Sequence, residues 1–551
     1  MAGLFGSWPR KKKFTPAERE KRISIALSFV IGALVGLVVV AFILLTGRLA
    51  ARMYPPGSPA WRRVLVPTLG SLVSGYLLFR FFPNARGSGI PQTKYALFIN
   101  DGFISLKTAF GKFLCCSISL ASGVALGREG PSVQIGAGIA SALGRRFGLS
   151  KTNVRALLPI GCAAALAAAF NTPIAAVLFS LEEILGDLHA PVLGSIVISS
   201  AASWMVLHLI LGDEALFHVP AYRLVNPLEF FIYAILGVVG GLVSVAFVKL
   251  LLNLRVAFRR LPASTIWLQP AVGGLAVGLM GLYMPEVLGV GYDYVERVLG
   301  GDLALKAIAI LVVLKILATA TCYSSGNAGG IFGPSLFIGA MTGGVVGGVA
   351  HRLFPAITAG PGAYALVGMG AAFAGIIRTP LTSVLMIFEI TRDYSIIVPV
   401  MIANLISFII SYRLQREPIY EALAHQEGVH LPTDESHEPN GRLTVASIMR
   451  SADGGIDEAK ARELMNETGA NSWPLIQDDG VVRILRSDGS EGLMDQAYVH
   501  VDHPLSHALE KMGAAGLDAL PVVSRADLTR PLGIIVLADL LKAYGVESSR
   551  L

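Results

Sequence analysis

Apolar residues along this chain run in long blocks. Continuous stretches occupy Ile23–Thr46, Val64–Phe82, Val192–Leu211, Leu228–Leu252, Ile266–Tyr283, Ala304–Thr321 and Ile396–Tyr412, most of them near the ~20 residues that cross a hydrocarbon core as helix. Others, at 113–140, 156–181, 331–350 and 362–391, are cut by Gly or Pro. Helices broken at membrane depth leave backbone groups that lipid cannot satisfy, so such segments line cavities or pack inside protein. The pattern ends near Tyr412. A short helical segment around Glu417–His425 follows, then a polar, acid-rich stretch from His430 to Gly441 that reads as a linker. Beyond Leu443 the pattern predicts a small soluble α/β domain. It has a helix at Ala459–Thr468, strands at Trp473–Ile476 and Val481–Leu485, a helix at His503–Gly513, strands at Ala519–Val523 and Gly533–Val536, and a last helix at Ala538–Tyr544.

Composition agrees with a polytopic membrane protein. Of 551 residues 53% are hydrophobic and 15% charged, and mean hydropathy is +0.62, outside the soluble range. Arg10, Lys11, Lys12, Lys13, Lys21 and Arg22 precede the first apolar run, which by the positive-inside rule places this end in the cytoplasm. That run is too long for a signal peptide and lacks a clear small-residue cleavage site. The net charge of +7 is therefore topogenic, and without interleaved aromatics it does not point to nucleic acid. Cys115, Cys116, Cys162 and Cys322 sit in apolar stretches without metal-ligand spacing and read as small buried hydrophobes.

The chain also repeats itself. Gly127-Arg128-Glu129-Gly130-Pro131-Ser132 returns as Gly330-Ile331-Phe332-Gly333-Pro334-Ser335, 203 positions on. Asn171-Thr172-Pro173 returns as Arg378-Thr379-Pro380, offset by 207, and each proline has a glutamate nine positions later, Glu182 and Glu389. Gly87-Ser88-Gly89 is echoed at Gly289-Val290-Gly291, and Lys112 and Lys315 lie 17 positions before Glu129 and Phe332. A period near 200 is too long for a solenoid and fits the internal repeats of transporters.

Glycine-rich loops that open apolar helices present N–H groups and a positive dipole end, a setting that suits an anion. Such a site holds a halide without a full positive charge, so release stays open. Ser88 adds a hydroxyl, unless it only caps a helix. A carboxylate placed there, Glu129, can occupy the anion position and leave on protonation. Phe332 takes its place in the second repeat, so the fold needs no acid at that position. Glu182 aligns with Glu389 and reads as structural in both halves, pairing with a helix end or loop. Glu183 aligns with Ile390 and has no counterpart. It is a candidate proton station or, alternatively, an interfacial acid. Lys112 and Lys315 supply either a positive field or helix ends near the interface.

Four motifs together, Gly87-Ser88-Gly89-Ile90-Pro91, Gly127-Arg128-Glu129-Gly130-Pro131, Gly330-Ile331-Phe332-Gly333-Pro334 and Pro418-Ile419-Tyr420, resemble those of the chloride channel and exchanger (CLC) family over about 23–425. The resemblance implies an all-α membrane domain of two inverted repeats with broken helices, about 23–212 and 228–412. It also implies a homodimer in the plasma membrane, and voltage- and pH-sensitive chloride transport, as a chloride/proton antiporter or a passive channel gated by Glu129. Anion binding falls to Ser88, Gly89, Ile90, Arg128, Glu129, Gly130, Ile331, Phe332 and Tyr420, the backbone amides serving at Ile331 and Phe332. Tyr420 is matched to the family's inner phenol, its alternative being an interfacial anchor. Glu129 is gate and outer proton carrier and Glu183 inner relay. Ser88 resembles the chloride type, with bromide or nitrate as alternatives.

After residues 1–22 and the membrane domain, a linker at 426–442 leads to 443–551, which resembles a cytoplasmic pair of CBS domains with a worn first copy. The position that helps hold a ribose in such domains is Val536 here, ahead of Asp539, which weakens the case for adenine nucleotide. No cofactor or metal is expected. The chain carries no His-Glu-x-x-His, Walker or nucleophile-elbow pattern, so an enzyme is not indicated.

Overall fold

The computed structural model describes residues 16–213, 217, 219, 222, 224–429, 443–451, 456–476, 482–487, 489–493, 498–501, 503–524 and 531–544, with backbone alone at 16–22, 482 and 491–493. The basic cluster at Arg10–Lys13 and the linker at His430–Gly441 lie outside the described residues, as does Val481 of the expected strand; the side chains of Lys21 and Arg22 are not described either. The chain divides into two compact units, 1–431 and 432–551.

The first unit is helical. Each long apolar run is a helix: Pro16–Met53, Arg62–Arg80, Leu193–Leu211, Glu229–Arg259, Gln269–Tyr283, Leu305–Ser324 and Ile397–Leu414. Among the described residues, 7 helices are long and apolar enough to cross a membrane. The cut stretches form broken helices. Leu106–Ala121 stops and Glu129–Arg146 begins after a loop, as Leu305–Ser324 stops before Phe332–Leu353. Lys151–Phe170 is followed by Pro173–Phe179, and Pro361–Ile377 by Pro380–Thr391. The two latter breaks are the same device: Asn171 (φ 59) and Arg378 (φ 68) end their helices in the left-handed region. Two residues on, Pro173 and Pro380 start the next helices, where a fixed φ and a missing N–H suit the first turn.

The repeats are joined reciprocally. Gly127 N–H donates to the Gly330 carbonyl at 2.7 Å and Gly330 N–H to that of Gly127 at 2.7 Å, an antiparallel pair of the two glycine loops. Glu182 accepts from the amides of Leu381 (3.1 Å) and Thr382 (2.8 Å), while Glu389 accepts from those of Ile174 (2.9 Å) and Ala175 (2.7 Å). Each carboxylate caps the opposite repeat's helix, where the dipole favours negative charge. The expected structural role of Glu182 is thereby seen. Glycines bring helix pairs together in matching places: a Cβ on Gly136 would run into the Gly161 carbonyl, and one on Gly339 into that of Gly368. Close backbone approach of this kind replaces the hydrophobic drive that lipid removes. All four cysteines are free and buried.

The second unit is α/β. One antiparallel sheet orders Arg450–Ser451, Pro531–Val536 and Ala519–Val523, and another orders Ser472–Ile476, Val482–Arg486 and Glu491–Leu493. Helices Glu458–Thr468, Leu505–Ala515 and Leu537–Ala543 accompany them. Val536 is buried at its strand end, and Asp539 is held by Arg450 through bonds of 2.6 and 3.0 Å.

Candidate functional site

Three loops converge within the first unit. Gly89 takes φ +107, a left-handed conformation that lets the chain turn into helix Ile90–Phe98, and a Cβ there would strike the Gly130 carbonyl. The Ser88 loop therefore lies directly against the start of helix Glu129–Arg146. The Gly127–Gly330 pair brings in the third loop, which opens helix Phe332–Leu353.

Glu129 is fully buried at the first position of its helix. Its Oε2 accepts from the Gly333 amide at 3.2 Å, and its Oε1 from the Tyr292 hydroxyl. Arg128 Nε lies 3.9 Å from Oε1. The carboxylate thus occupies a seat at the N-terminus of the second repeat's helix, made by a main-chain donor. Phe332 is fully buried and packs its ring on Phe170 (4.8 Å between centroids), Phe179 (5.6 Å) and Phe373 (4.4 Å). Its side chain fixes the loop while the polar contact comes from the backbone.

Ser88 Oγ is buried beside the Tyr323 phenol, and Tyr420 Oη is buried with no hydrogen-bond partner among the described residues. Buried hydroxyls without partners are rare and call for an explanation. The Tyr420 side chain is fully buried, within electrostatic reach of Glu183, Glu129 and the Tyr323 phenol. The Gly89 N–H donates to Gln92 Oε1 at 2.9 Å. Its amide is engaged in the helix cap, and it serves the site by the turn it allows. A cavity of ≈ 340 Å³ reaches Gly87, beside Ser88, and its lining includes Arg86, Arg255, Arg259, Tyr323 and Glu427, the last paired with Arg255.

Glu182 and Glu183 diverge as adjacent helical positions do. They sit in one π-helical turn, Ser180–Leu185. Glu182 caps the opposite helix, whereas Glu183 turns inward and accepts from Lys94 Nζ at 3.0 Å. Lys94 Nζ also lies 3.5 Å from Glu421 Oε1. The two repeat lysines are fully buried, each within the body of its helix. Lys112 Nζ donates to the Gly87 carbonyl at 2.8 Å and Lys315 Nζ to that of Gly289 at 2.7 Å, so each ties down the glycine loop of its own repeat.

Sequence reasoning missed Tyr292, Lys94, Glu421 and the Gly333 amide. Tyr292 follows the Gly289-Val290-Gly291 echo directly, and Lys94 and Glu421 are charges within the short helices that the Ser88 and Tyr420 motifs open. Those positions were the available signal.

Two inverted repeats whose broken helices meet around one carboxylate and two buried hydroxyls define an ion-transport protein of the membrane. The chain belongs to the voltage gated chloride channel (CLC) family, whose sequence model matches residues 69–412; a CBS domain model matches 492–546. The H(+)/Cl(-) exchange transporter ClcA of Vibrio campbellii is 32% identical over 378 residues, 67% of this chain and 80% of that protein. A slow cyanobacterial Cl-/H+ antiporter of known structure superposes with a TM-score of 0.68 at 26% identity, covering 73% of this chain and 97% of that one. A eukaryotic CLC transporter shares the fold over 95% of this chain and 98% of its own, with a TM-score of 0.63 at 20% identity.

Proposed function

We propose that this protein exchanges chloride for protons across the membrane, with Glu129 as gate and outer proton carrier and Glu183 as inner proton station. The observation that carries this reading is the seat of Glu129, whose carboxylate accepts the Gly333 amide, a bond that a chloride ion accepts equally well. Ionised, the side chain competes with the anion. Protonated, it loses its attraction for the helix end and leaves the seat open. Below it, the Ser88 and Tyr420 hydroxyls donate to chloride along with amides around Glu129 and Phe332, from Ile90, Arg128, Gly130 and Ile331. Dipoles without a fixed cation bind weakly enough for turnover. Ser88 favours chloride over nitrate, with bromide an accepted substitute.

Retention of both acids, Glu129 and Glu183, supports exchange over passive conduction. The protein works as a homodimer in the plasma membrane, each subunit with its own pathway, and its N-terminus and CBS-like domain in the cytoplasm. The basic residues before the first apolar run support that orientation. In liposomes, Glu129→Gln is expected to carry chloride without protons and without pH dependence. Proton pumping by this variant would contradict the reading.

A further inference from the structure

Beside the anion site lies a cluster that the exchange reading does not use in full. Lys94 Nζ bridges Glu183 Oε1 at 3.0 Å and Glu421 Oε1 at 3.5 Å. Side-chain exposure is 7% for Lys94, 7% for Glu183 and 14% for Glu421, so Glu421 is the member nearest solvent. Its Oε2 is buried and has no hydrogen-bond partner among the described residues. Glu182, the adjacent acid, accepts three bonds at the helix start of Leu381 and Thr382.

The cluster grows out of the anion site itself. Helix Ile90–Phe98 runs from the Ser88 loop to Lys94, and helix Ile419–Gln426 carries Tyr420 and Glu421 on neighbouring positions, which point ~100° apart. One helix pair thus turns hydroxyls toward the anion and charges toward Glu183. Two carboxylates sharing one ammonium hold one net negative charge. A single added proton makes the cluster neutral, the state that burial favours.

We propose that Glu421 is the inner proton-transfer residue that loads Glu183 from the cytoplasmic side, with Lys94 as the bridge. A proton from solvent binds Glu421 Oε2. The carboxyl group then turns so that this O–H takes the place of Oε1, 3.5 Å from Lys94 Nζ, and gives its proton to Lys94 as the Lys94 ammonium gives one of its own to Glu183. One O–H breaks at Glu421 and one forms at Glu183, while an N–H forms and another breaks at Lys94. Charge is conserved and no other reactant is needed. Glu417 and Arg378 also face Glu421, and Glu182 adjoins Glu183, so these set the field in which the transfer runs. The proposal rests on the exchange reading above.

The test uses the full chain in liposomes under a chloride gradient, with chloride and proton fluxes read together. Glu421→Gln is expected to keep chloride flux and lower proton flux by about 100-fold, the usual worth of a positioned acid or base. In Glu421→Ala, formate on the cytoplasmic side is expected to restore proton flux, which a merely structural role does not allow. Undiminished proton flux in Glu421→Gln overturns the proposal. So does joint loss of both fluxes with no response of Glu421→Ala to formate. If the unaltered protein moves chloride with no protons, the exchange reading has failed instead.

Discussion

Replacing Tyr292 by Phe removes one oxygen from the gate and little else. The Tyr292 ring is held edge-on to Phe217 at 5.4 Å and beneath the Arg128 guanidinium at 5.5 Å, contacts that a phenylalanine keeps. What is lost is the hydroxyl that donates to Glu129 Oε1, leaving the Gly333 amide and the more distant Arg128 Nε. A hydrogen bond to a charged acceptor is worth about 1.5–3 kcal/mol, and each 1.36 kcal/mol corresponds to about one pH unit. The bond favours the ionised, seated carboxylate over the neutral one that swings out, so without it less acid is needed to open the gate. We predict that the pH of half-maximal chloride flux rises by about 1–2 units in Tyr292→Phe, read as chloride efflux from liposomes over a pH series. In a Glu129→Gln background the same change should do nothing, since the charged acceptor is gone. An unchanged profile in the single variant, or an equal shift in both backgrounds, would refute the reasoning.

Two further predictions follow from groups outside the seat. Glu182→Gln weakens charge-assisted caps on helix Pro380–Thr391, so unfolding in detergent should show a loss of about 1.5–3 kcal/mol, while the proton-to-chloride ratio stays unchanged; an altered ratio would make Glu182 part of the proton route. In the CBS-like unit, Asp539 is occupied by Arg450. ATP or AMP added to the full chain is therefore expected to leave thermal midpoint and chloride flux unaltered, and a shift in either would show a nucleotide site.

Apolar runs and their breaks were legible in the sequence because helix length and Gly/Pro punctuation are local properties. The reciprocal caps by Glu182 and Glu389 were foreshadowed by their equal distance from Pro173 and Pro380. Ser88, Glu129 and Tyr420 stood out for the same reason: each lies in a short motif whose glycine or proline sets the local backbone. Tyr292 and Glu421 did not, because their meaning depends on contacts 163 residues away to Glu129 and far across the chain to Lys94. The roles of Lys112 and Lys315 were equally hidden. Lysines in apolar helices show no carbonyl partner until the glycine loops fold back onto them.

Proton movement by the purified protein in liposomes under an imposed chloride gradient, with the voltage clamped by potassium and valinomycin, tests the central claim most directly. The account predicts uphill proton pumping that disappears in Glu183→Val while chloride flux continues. Chloride flux with no coupled proton movement in the unaltered protein would contradict it and leave Glu183 a structural partner of Lys94.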